Sequence, residues 1–329
     1  KEDVDQVLQK LQGVPFTIAK VKHGDKKRTP APHFITSTLQ QEAARKFGFS
    51  TKKTMMLAQQ LYEGVEIQGE GSVGLITYMR TDSTRISEEA LSQAREYIQK
   101  NYGARYLPEK ARVYKAKSAA QDAHEAIRPT TADLPPERVK SSLPRELFRL
   151  YKLIWERFIA SQMEAAVYDT MAVDIDAGDY LFKSKGSRVS FKGFLVLYEE
   201  GTDEENEGDN EKEPMLPELI EGEKVTALEL KPSQHFTQPP SRYTEATLVK
   251  ALEEKGIGRP STYSPTISTI ISRGYVVKDK KYLLPTELGK IVNRLMEEYF
   301  RSIININFTA NMETQLDDVE DGKRKWKDL

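Results

Sequence analysis

The hydrophobic positions follow two different periods along the chain, and the period changes with position. Residues 33–164 carry apolar side chains at helical spacing, whereas residues 165–235 mostly alternate between apolar and polar positions. A short helical pattern and one alternating stretch make up residues 1–32, and residues 236–329 are again mainly helical. The pattern predicts a multidomain α and β protein. Residues 1–32 and 165–235 form its β domain, 33–164 an inserted helical domain, and 236–329 a further helical domain.

Several predicted helices begin at a hydroxyl-bearing residue and end at a glycine, the residue types favoured at the two helix ends. They run from Thr36 to Gly48, from Ser50 to Gly64, from Ser87 to near Gly103 and from Thr244 to Gly256, and the longest helical pattern covers residues 143–164. Alternating stretches rich in β-branched and aromatic residues predict strands. These lie at residues 16–21, 167–183, 188–198 and 224–230.

The C-terminal region combines helices with a hairpin. Ser264 followed by Pro265 predicts a helix start, because serine is a good N-cap and proline is favoured at the first helical position. The next predicted elements are a hairpin and two more capped helices, at 275–277 with 281–283, at Thr286 and at Thr309. Two helices followed by a hairpin resemble a winged helix-turn-helix.

Composition limits the class of protein. The 329 residues are 38% hydrophobic and 30% charged, as in a soluble globular protein, and no apolar run approaches the roughly 20 residues of a membrane span. The absence of cysteine fits a reducing compartment and excludes disulfides and thiolate metal sites within these residues. Because the sequence starts at Lys1 without an initiator methionine or a signal peptide, it is expected to be part of a longer chain.

Charge is distributed unevenly. The net charge is −1, but residues 199–213 carry nine carboxylates and one lysine, a local charge of −8 that leaves +7 on the rest. The acidic stretch lacks apolar residues, so it is interpreted as a solvated or disordered loop. The remainder is mildly basic, which permits phosphate binding.

The stretch GLITYMRTDST, residues 74–84, changes from apolar to polar at a tyrosine. Tyr78 either completes the core of a strand or presents its phenol at the open end of that strand. Arg80 would share the face of Tyr78 in an extended chain, and a buried arginine would need a paired charge. Residues 81–84 suit either phosphate contacts or a turn, so the residues alone leave both interpretations open.

A second polar cluster lies in QDAHEAIRPT, where Asp122, His124, Glu125 and Arg128 occur within seven residues. The cluster is compatible with phosphate contacts and equally with a salt-bridged helix end. The spacing of its histidine and carboxylates does not match a zinc site, and no cysteine supports one. No metal ligand is therefore assigned.

The third candidate is GIGRPSTY, residues 256–263. Arg259 offers a bidentate phosphate donor, and the hydroxyls of Ser261 and Thr262 precede a helix start. The stretch is not a P-loop, because no Lys-Ser/Thr pair follows a GxxxxG pattern. A capped turn between two helices accounts for it equally well. Arg273 lies on the helix that follows.

Four motifs, FITSTLQQ, TYMRTDST, DAHEAIRPT and GIGRPSTYSPTI, occur here in the order seen in type IA DNA topoisomerases. Together they spread across nearly the whole chain, and TYMRTDST resembles the bacterial branch of that family. The resemblance implies a toroidal core. The β domain would form its arch and hinge, 33–164 its gate, and 236–329 its DNA-binding base.

The same resemblance implies a reaction. Tyr78 would attack a phosphodiester of single-stranded DNA, become joined to the 5′ phosphate and release a 3′ hydroxyl. Strand passage and religation would then relax negatively supercoiled DNA without ATP. Arg80 would stabilise charge on the attacked phosphate, and His124 would bind a neighbouring phosphate. The residues implied to hold the DNA strand are Arg259, Ser261, Thr262 and Arg273.

Type IA enzymes also carry an N-terminal Toprim domain, which supplies a glutamate, a lysine and an acidic cluster for Mg²⁺. No such domain and no zinc-ribbon tail is recognisable in these residues. The chain is therefore expected to bind single-stranded DNA but to bind no Mg²⁺ and to be catalytically incomplete by itself. The implied location is the bacterial cytoplasm, at the nucleoid, with no membrane partner.

The alternative function is a non-catalytic scaffold that binds single-stranded DNA. A tyrosine recombinase or a rolling-circle nickase is not supported, because the first needs a different Arg/His constellation and the second a metal-binding histidine pair.

Overall fold

The computed structural model describes residues 2–114, 124–203 and 216–329. Its helices are α1 (Glu2–Leu11), α2 (Thr36–Phe47), α3 (Thr51–Glu63), α4 (Glu88–Tyr102), α5 (Pro136–Val139), α6 (Arg145–Ser161), α7 (Glu245–Glu254), α8 (Tyr263–Ser272), α9 (Glu287–Tyr299) and α10 (Ile306–Glu320). Its strands are β1 (Phe16–Arg28), β2 (Val65–Ile67), β3 (Gly71–Val73), β4 (Ala166–Ala177), β5 (Tyr180–Phe191), β6 (Lys224–Val225), β7 (Val276–Asp279) and β8 (Tyr282–Pro285). The protein is thus mixed α and β. Among these residues no helix is long and apolar enough to cross a membrane.

The described chain forms two compact units. The first unit contains residues 2–29, 165–196 and 216–240, and the second contains 30–114, 124–164, 197–203 and 241–329. The first unit contains most residues of the predicted β domain, but residues 197–203, which the prediction placed in that domain, belong to the second unit. The second unit contains both predicted helical regions, so their separation into two domains stays a prediction.

The first unit is built on an antiparallel sheet with the strand order β5-β4-β1-β6. Strand β1 pairs with β4 over its whole length, from Phe16 opposite Ala177 to Arg28 opposite Ala166. One face of this sheet is apolar, because Ile18, Met171 and Val173 are buried there, with side chains of 216–225 packed against them. Helix α1 contributes Leu11 to a second apolar cluster around Phe16.

The strand limits in this unit differ from the predicted ones. Strand β1 continues to Arg28 although its second half is polar, because pairing with β4 supplies its backbone hydrogen bonds. The turn between β4 and β5 lies at 178–179, where Gly178 adopts a φ of 60°, and not at the polar stretch 184–187. Gly186 is instead an interior residue of β5, opposite Met171. Strand β6 has only two residues, shorter than the predicted 224–230.

The second unit is a helical assembly with its core between α2, α3 and α6. The buried side chains of that core include Leu39, Leu61, Ile154 and Phe158. Helix α7 packs against α2, and α8 packs against α3. The strands β7 and β8 form the predicted hairpin directly after α8.

Two predicted helix starts in this unit are wrong. Helix α8 begins at Tyr263, so Pro265 lies inside its first turn, where proline is tolerated because no intrahelical partner awaits its missing N–H. Helix α10 begins after Asn305, whose side chain accepts a 2.7 Å hydrogen bond from the Phe308 N–H. Thr309 therefore lies within the helix. Asparagine caps a helix as well as threonine does, and it comes first in the chain.

The acidic stretch 199–213 is only partly described, since residues 204–213 lie outside the described ranges. Asp122, of the polar cluster around His124, also lies outside them. The described part is not simply solvated. Both oxygens of Asp203 accept hydrogen bonds from Arg45, at 2.5 and 2.7 Å, and Glu200 pairs with Arg157 at 3.0 Å. Residues 199–203 are thus bound to the helical unit by ion pairs.

Candidate active site around Tyr78

Along the segment that carries Tyr78, buried and accessible positions alternate, although the chain bends at Met79 and Arg80. Met79, Thr81 and Ser83 are buried, whereas Tyr78, Arg80 and Asp82 are not. The two-residue spacing predicts that Tyr78 and Arg80 share one side. Both side chains do line the same cavity, although the backbone between them is bent.

This segment is not the regular strand that was predicted. It makes a single β-bridge, between Ile76 and Pro129, flanked by the hydrogen bonds Thr77 N to Arg128 O (2.9 Å) and Thr130 N to Leu75 O (3.0 Å). Ile76 and Pro129 are a non-hydrogen-bonded pair, so the missing N–H of Pro129 faces away from the tyrosine segment and proline is accommodated there.

The hydroxyl of Thr77 ties the tyrosine segment to the segment that carries His124. It donates to the Ala126 carbonyl at 2.6 Å and accepts from the Arg128 N–H at 3.0 Å. Arg128 itself is buried and pairs with Glu125 at 2.7 Å. Glu125 and Arg128 thus form an internal ion pair, but at no helix end, while the His124 ring packs on Tyr78. The phosphate contact of His124 stays a prediction.

Helix α2 holds the segment from its other side through Thr36, which is fully buried. The Thr36 hydroxyl donates to the Met79 carbonyl at 2.7 Å and accepts from the Thr81 N–H at 2.9 Å. The Thr36 N–H donates to the Thr81 carbonyl at 2.9 Å. The start of helix α2 thus fixes the backbone on both sides of Arg80. The sequence of the FITSTLQQ motif does not predict this contact of Thr36.

A buried histidine supports the end of the same segment. The Nδ1 of His33 lies 3.0 Å from the Thr84 carbonyl, which can only accept, so Nδ1 carries the proton. Burial lowers the pKa of His33 to about 4, with Arg157 and Arg128 acting in the same direction and the bond to Thr84 opposing them. His33 is therefore neutral at pH 7 and does not take part in the chemistry of the site.

A cavity of about 210 Å³ opens beside the tyrosine. It is lined by Tyr78, Arg80, Thr81, Asp82, His124, Arg259, Pro260, Ser261, Asp317 and Glu320. The tyrosine ring lies between two other rings, with its centroid 5.0 Å from that of His124 and 5.5 Å from that of Tyr62. These contacts hold the ring at the cavity wall.

The two arginines of the cavity differ in their partners. Arg80 is exposed, its Nη1 is 3.4 Å from Gln59 Oε1, and it makes no ion pair within the described residues. Arg259 is bound on one edge by Asp317, at 3.1 Å to Nε and 2.5 Å to Nη2. Its Nη1 donates to the Gly258 carbonyl at 2.7 Å. Nη1 also donates to the Gly256 carbonyl at 3.4 Å. Since a guanidinium has five N–H donors, these bonds leave one, on Nη2, for a phosphate.

The glycine loop before α8 explains why Arg259 sits where it does. Gly258 has a φ of 79°, and a Cβ there would lie 3.1 Å from Thr262 Oγ1 and 3.3 Å from the Tyr263 ring. The Gly258 N–H donates to Glu313 of α10 at 3.0 Å. Tyr263 is buried against Val249 and Ile267, and burial raises its pKa. The loop is therefore anchored on both of its sides.

The remaining predicted residues are only partly brought to the cavity. Ser261 lines it and is exposed. The Thr262 hydroxyl accepts the Arg259 N–H at 2.8 Å, which closes the turn of the loop and does not cap α8. Arg273 is exposed at the far end of α8, roughly 15 Å along the helix axis from the loop, and does not line the cavity.

Sequence reasoning missed the carboxylates of the cavity. Asp317 and Glu320 line it from one face of α10, and Asp82 follows Arg80 by two residues. Glu313, on the same face, accepts from the Gly258 N–H and does not line the cavity. The spacing of the acidic residues along α10 was the sequence feature that could have predicted an acidic helix face. With two arginines and three carboxylates in its lining, the cavity is not basic. Within the described ranges no group of three or more potential ligands is arranged to hold a metal ion.

Comparisons with known proteins agree with the motifs. A family model described as DNA topoisomerase matches residues 1–329. The structure of full-length topoisomerase I from Thermotoga maritima, in a monoclinic crystal form, is similar to this chain with a TM-score of 0.83 and 39% sequence identity. The match covers 97% of this chain and 51% of that one, so this chain spans about half the length of that protein. The chain belongs to the type IA DNA topoisomerase family.

Proposed function

We propose that this chain carries the strand-cleaving tyrosine and part of the strand-binding surface of an enzyme that relaxes negatively supercoiled DNA. The observation that carries the proposal is the cavity that Tyr78 and Arg80 both line, with the ring centroid of His124 5.0 Å from that of Tyr78. Each of these side chains can meet one phosphodiester of a single DNA strand.

In the proposed reaction the phenol oxygen of Tyr78 forms a bond to phosphorus, and the bond from phosphorus to the 3′ oxygen breaks. The phenol loses its proton, the 3′ oxygen gains one, and the DNA is left with a 5′ phosphotyrosine. Because the bond energy is kept in that linkage, religation needs no ATP. Arg80, which has no carboxylate partner in the described residues, neutralises the charge that develops on the phosphate oxygens.

The residues that hold the strand have separate roles. We assign His124 to a phosphate next to the attacked one, because its ring packs on Tyr78. Arg259 can contact a phosphate only with the one N–H, on Nη2, that its other hydrogen bonds leave available. Ser261 lies in the same wall. We assign Thr262 to shaping the loop, and Arg273 to a contact with the strand away from the cavity.

Proton transfer and metal binding are proposed to come from a Toprim domain supplied together with this chain. General acid–base assistance typically contributes about 10²–10⁴-fold to a rate, and neither Arg80 nor a buried, neutral His33 can supply it. No step is therefore assigned to a metal or to an acid within the described residues.

The test is to incubate end-labelled single-stranded DNA with this chain, with and without a Toprim domain and Mg²⁺, and to look for a covalent 5′ adduct after denaturation. Adduct is expected only in the complemented reaction and should vanish with Tyr78→Phe, whereas Tyr62→Phe, a neighbouring phenol, should retain it. Strong adduct from the chain alone would refute the division of roles.

A non-catalytic scaffold that binds single-stranded DNA is the second candidate. It predicts DNA binding that is unchanged by Tyr78→Phe, together with no adduct in any complemented reaction.

A further inference from the structure

The first unit carries a groove whose charge contrasts with that of the cavity at Tyr78. The groove has a volume of about 840 Å³. Its lining includes Lys22, Lys26, Lys27, Arg28 and Lys185, and none of the described residues that line it is acidic. The cavity at Tyr78, by contrast, has more carboxylates than arginines in its lining.

The pairing of the strands explains how the cations come together. Lys22 lies opposite Ala172, which lies opposite Lys185, and two residues further along Gly24 lies opposite Thr170, which lies opposite Ser187. Residues directly opposite each other project on the same side of a sheet. The lysines and these small residues therefore share one face of β1, β4 and β5.

The same register separates this face from the apolar one. Val21, Val173 and Met171 alternate with the lysine positions and pack in the core on the other side. On that other side, further along the strands, Arg188 pairs with Asp169 at 3.0 Å, so both signs of charge occur there. Lys22, Lys26 and Lys185 are exposed and make no ion pair within the described residues.

The shape of the face is also specific. Gly24, Thr170, Ala172 and Ser187 provide a low floor, and the Thr170 hydroxyl donates to the Gly24 carbonyl at 2.8 Å, which turns it away from solvent. Tyr168, opposite Lys26, is the aromatic residue of the lining and is partly exposed. Small residues between flanking cations and an aromatic ring make a channel rather than a flat charged surface.

We propose that this groove is a second binding site for single-stranded DNA, with the phosphates on Lys22, Lys26 and Lys185 and a base stacked on Tyr168. A positively charged groove with an aromatic platform is the usual arrangement for binding a single strand without sequence preference. A volume of this size accepts a ligand of small-molecule dimensions, about 300–1,000 Å³, which suits roughly two or three nucleotides of one strand and not a duplex.

The choice of DNA as partner rests on the proposed function, but the groove has a separate physical role. Phosphate contacts dominate the affinity of proteins for nucleic acid and make it dependent on salt. The cavity at Tyr78 has little net positive charge to offer, since Asp317 holds Arg259. The groove supplies cations without competing carboxylates among its described lining residues.

The experiment measures binding of a fluorescent 12-nucleotide oligothymidylate to the full chain by anisotropy, as a function of NaCl. The test variant is Lys22→Ala/Lys26→Ala/Lys185→Ala. The matched control is Lys10→Ala/Lys192→Ala/Lys224→Ala, which removes three exposed lysines of the same unit that do not line the groove. Thermal unfolding of both variants checks that they fold.

Each phosphate contact on a single strand contributes about 0.7 to the slope of log K against log salt. Loss of the three lysines is therefore expected to reduce the magnitude of that slope by about 2. Between 50 and 200 mM NaCl the parent should therefore lose affinity by a factor about 18 times larger than the factor lost by the test variant. The lysine-to-arginine triple should restore the parental slope. Tyr168→Leu should weaken binding of the oligothymidylate at least about fivefold and leave an abasic oligomer unaffected.

Equal slopes in the test and control variants would overturn the proposal, as would an effect seen with duplex DNA alone. The adduct assay keeps this outcome apart from the proposed reaction. If the groove fails and the Tyr78 adduct still forms, only the groove is wrong. If the groove variant changes the slope while no complemented reaction gives adduct, the groove stands and the proposed reaction is wrong.

Discussion

Lowering the pH from 7.5 to 5 is expected to destabilise the second unit through His33. This side chain is buried, its Nδ1–H donates to the Thr84 carbonyl, and its Nε2 lies 3.4 Å from the amide nitrogen of Gln162. That amide cannot turn its oxygen toward the ring without loss, because both of its ends bond to the backbone of Arg112, each at 3.1 Å. A proton on Nε2 would therefore meet a donor, and the neighbouring Arg157 adds a like charge.

The size of the effect follows from the pKa. Burial lowers the pKa of His33 to about 4 from 6.5, so the unfolded chain takes up the proton first as the pH falls. The stabilisation is therefore fully present above pH 6.5 and is lost between 6.5 and about 4. By linkage the loss is about 2 kcal/mol at pH 5 and about 3.4 kcal/mol once both states are protonated.

The assay is urea unfolding between pH 7.5 and 5, followed by the fluorescence of Trp155, which is buried in α6. A Trp326→Phe background removes the signal of the exposed second tryptophan. His33→Gln keeps a donor for Thr84 but cannot titrate, so it is expected to be less stable than the parent at pH 7.5 and to lose about 2 kcal/mol less on acidification. His23→Gln, at an exposed position of β1, is the control and should follow the parent.

The carboxylates of the protein also titrate in this range, but they do so in parent and variant alike, and the difference between the two curves isolates His33. Parallel curves for the parent and His33→Gln, within about 0.5 kcal/mol, would refute the argument that burial keeps this histidine neutral.

Three further predictions concern residues that shape the cavity. Thr36→Val should lower the free energy of unfolding in urea by about 1–3 kcal/mol, because it leaves buried backbone groups of the tyrosine segment unpaired. The control Ser37→Ala, whose hydroxyl has no partner within the described residues, should change it very little. Equal losses would contradict the role assigned to Thr36. Gly258→Ala should reduce stability by about 1–3 kcal/mol and lower adduct yield, since its φ of 79° disfavours a side chain; unchanged unfolding would show that the loop adapts. Asp317→Asn should bind single-stranded DNA about threefold more tightly at low salt, as expected for removing one charge roughly 6 Å from a phosphate at high dielectric, and titrations of both proteins should converge at high salt; weaker binding at low salt would show that orienting Arg259 matters more than the charge.

The sequence by itself determined the local features of the protein, which are the helix and strand periodicities and the positions of the four motifs. The two-residue spacing of Tyr78 and Arg80 predicts that they share a side, and the start of α7 follows from Thr244, whose hydroxyl accepts the Thr247 N–H. Such features depend on sterics and hydrogen bonds within a few residues, so the sequence contains them. Local signals failed where two candidates competed, as when Asn305 and not Thr309 capped α10.

Tertiary structure alone decided which distant groups meet. His124 packs on Tyr78 because the Thr77 hydroxyl joins their two segments, and Asp317 occupies Arg259 because α10 packs beside the glycine loop. Neither contact has a local signature, since each depends on how separate elements bury their apolar faces together. The charge of the site, and hence how a phosphate can enter it, is therefore a property of the packed unit and not of any motif.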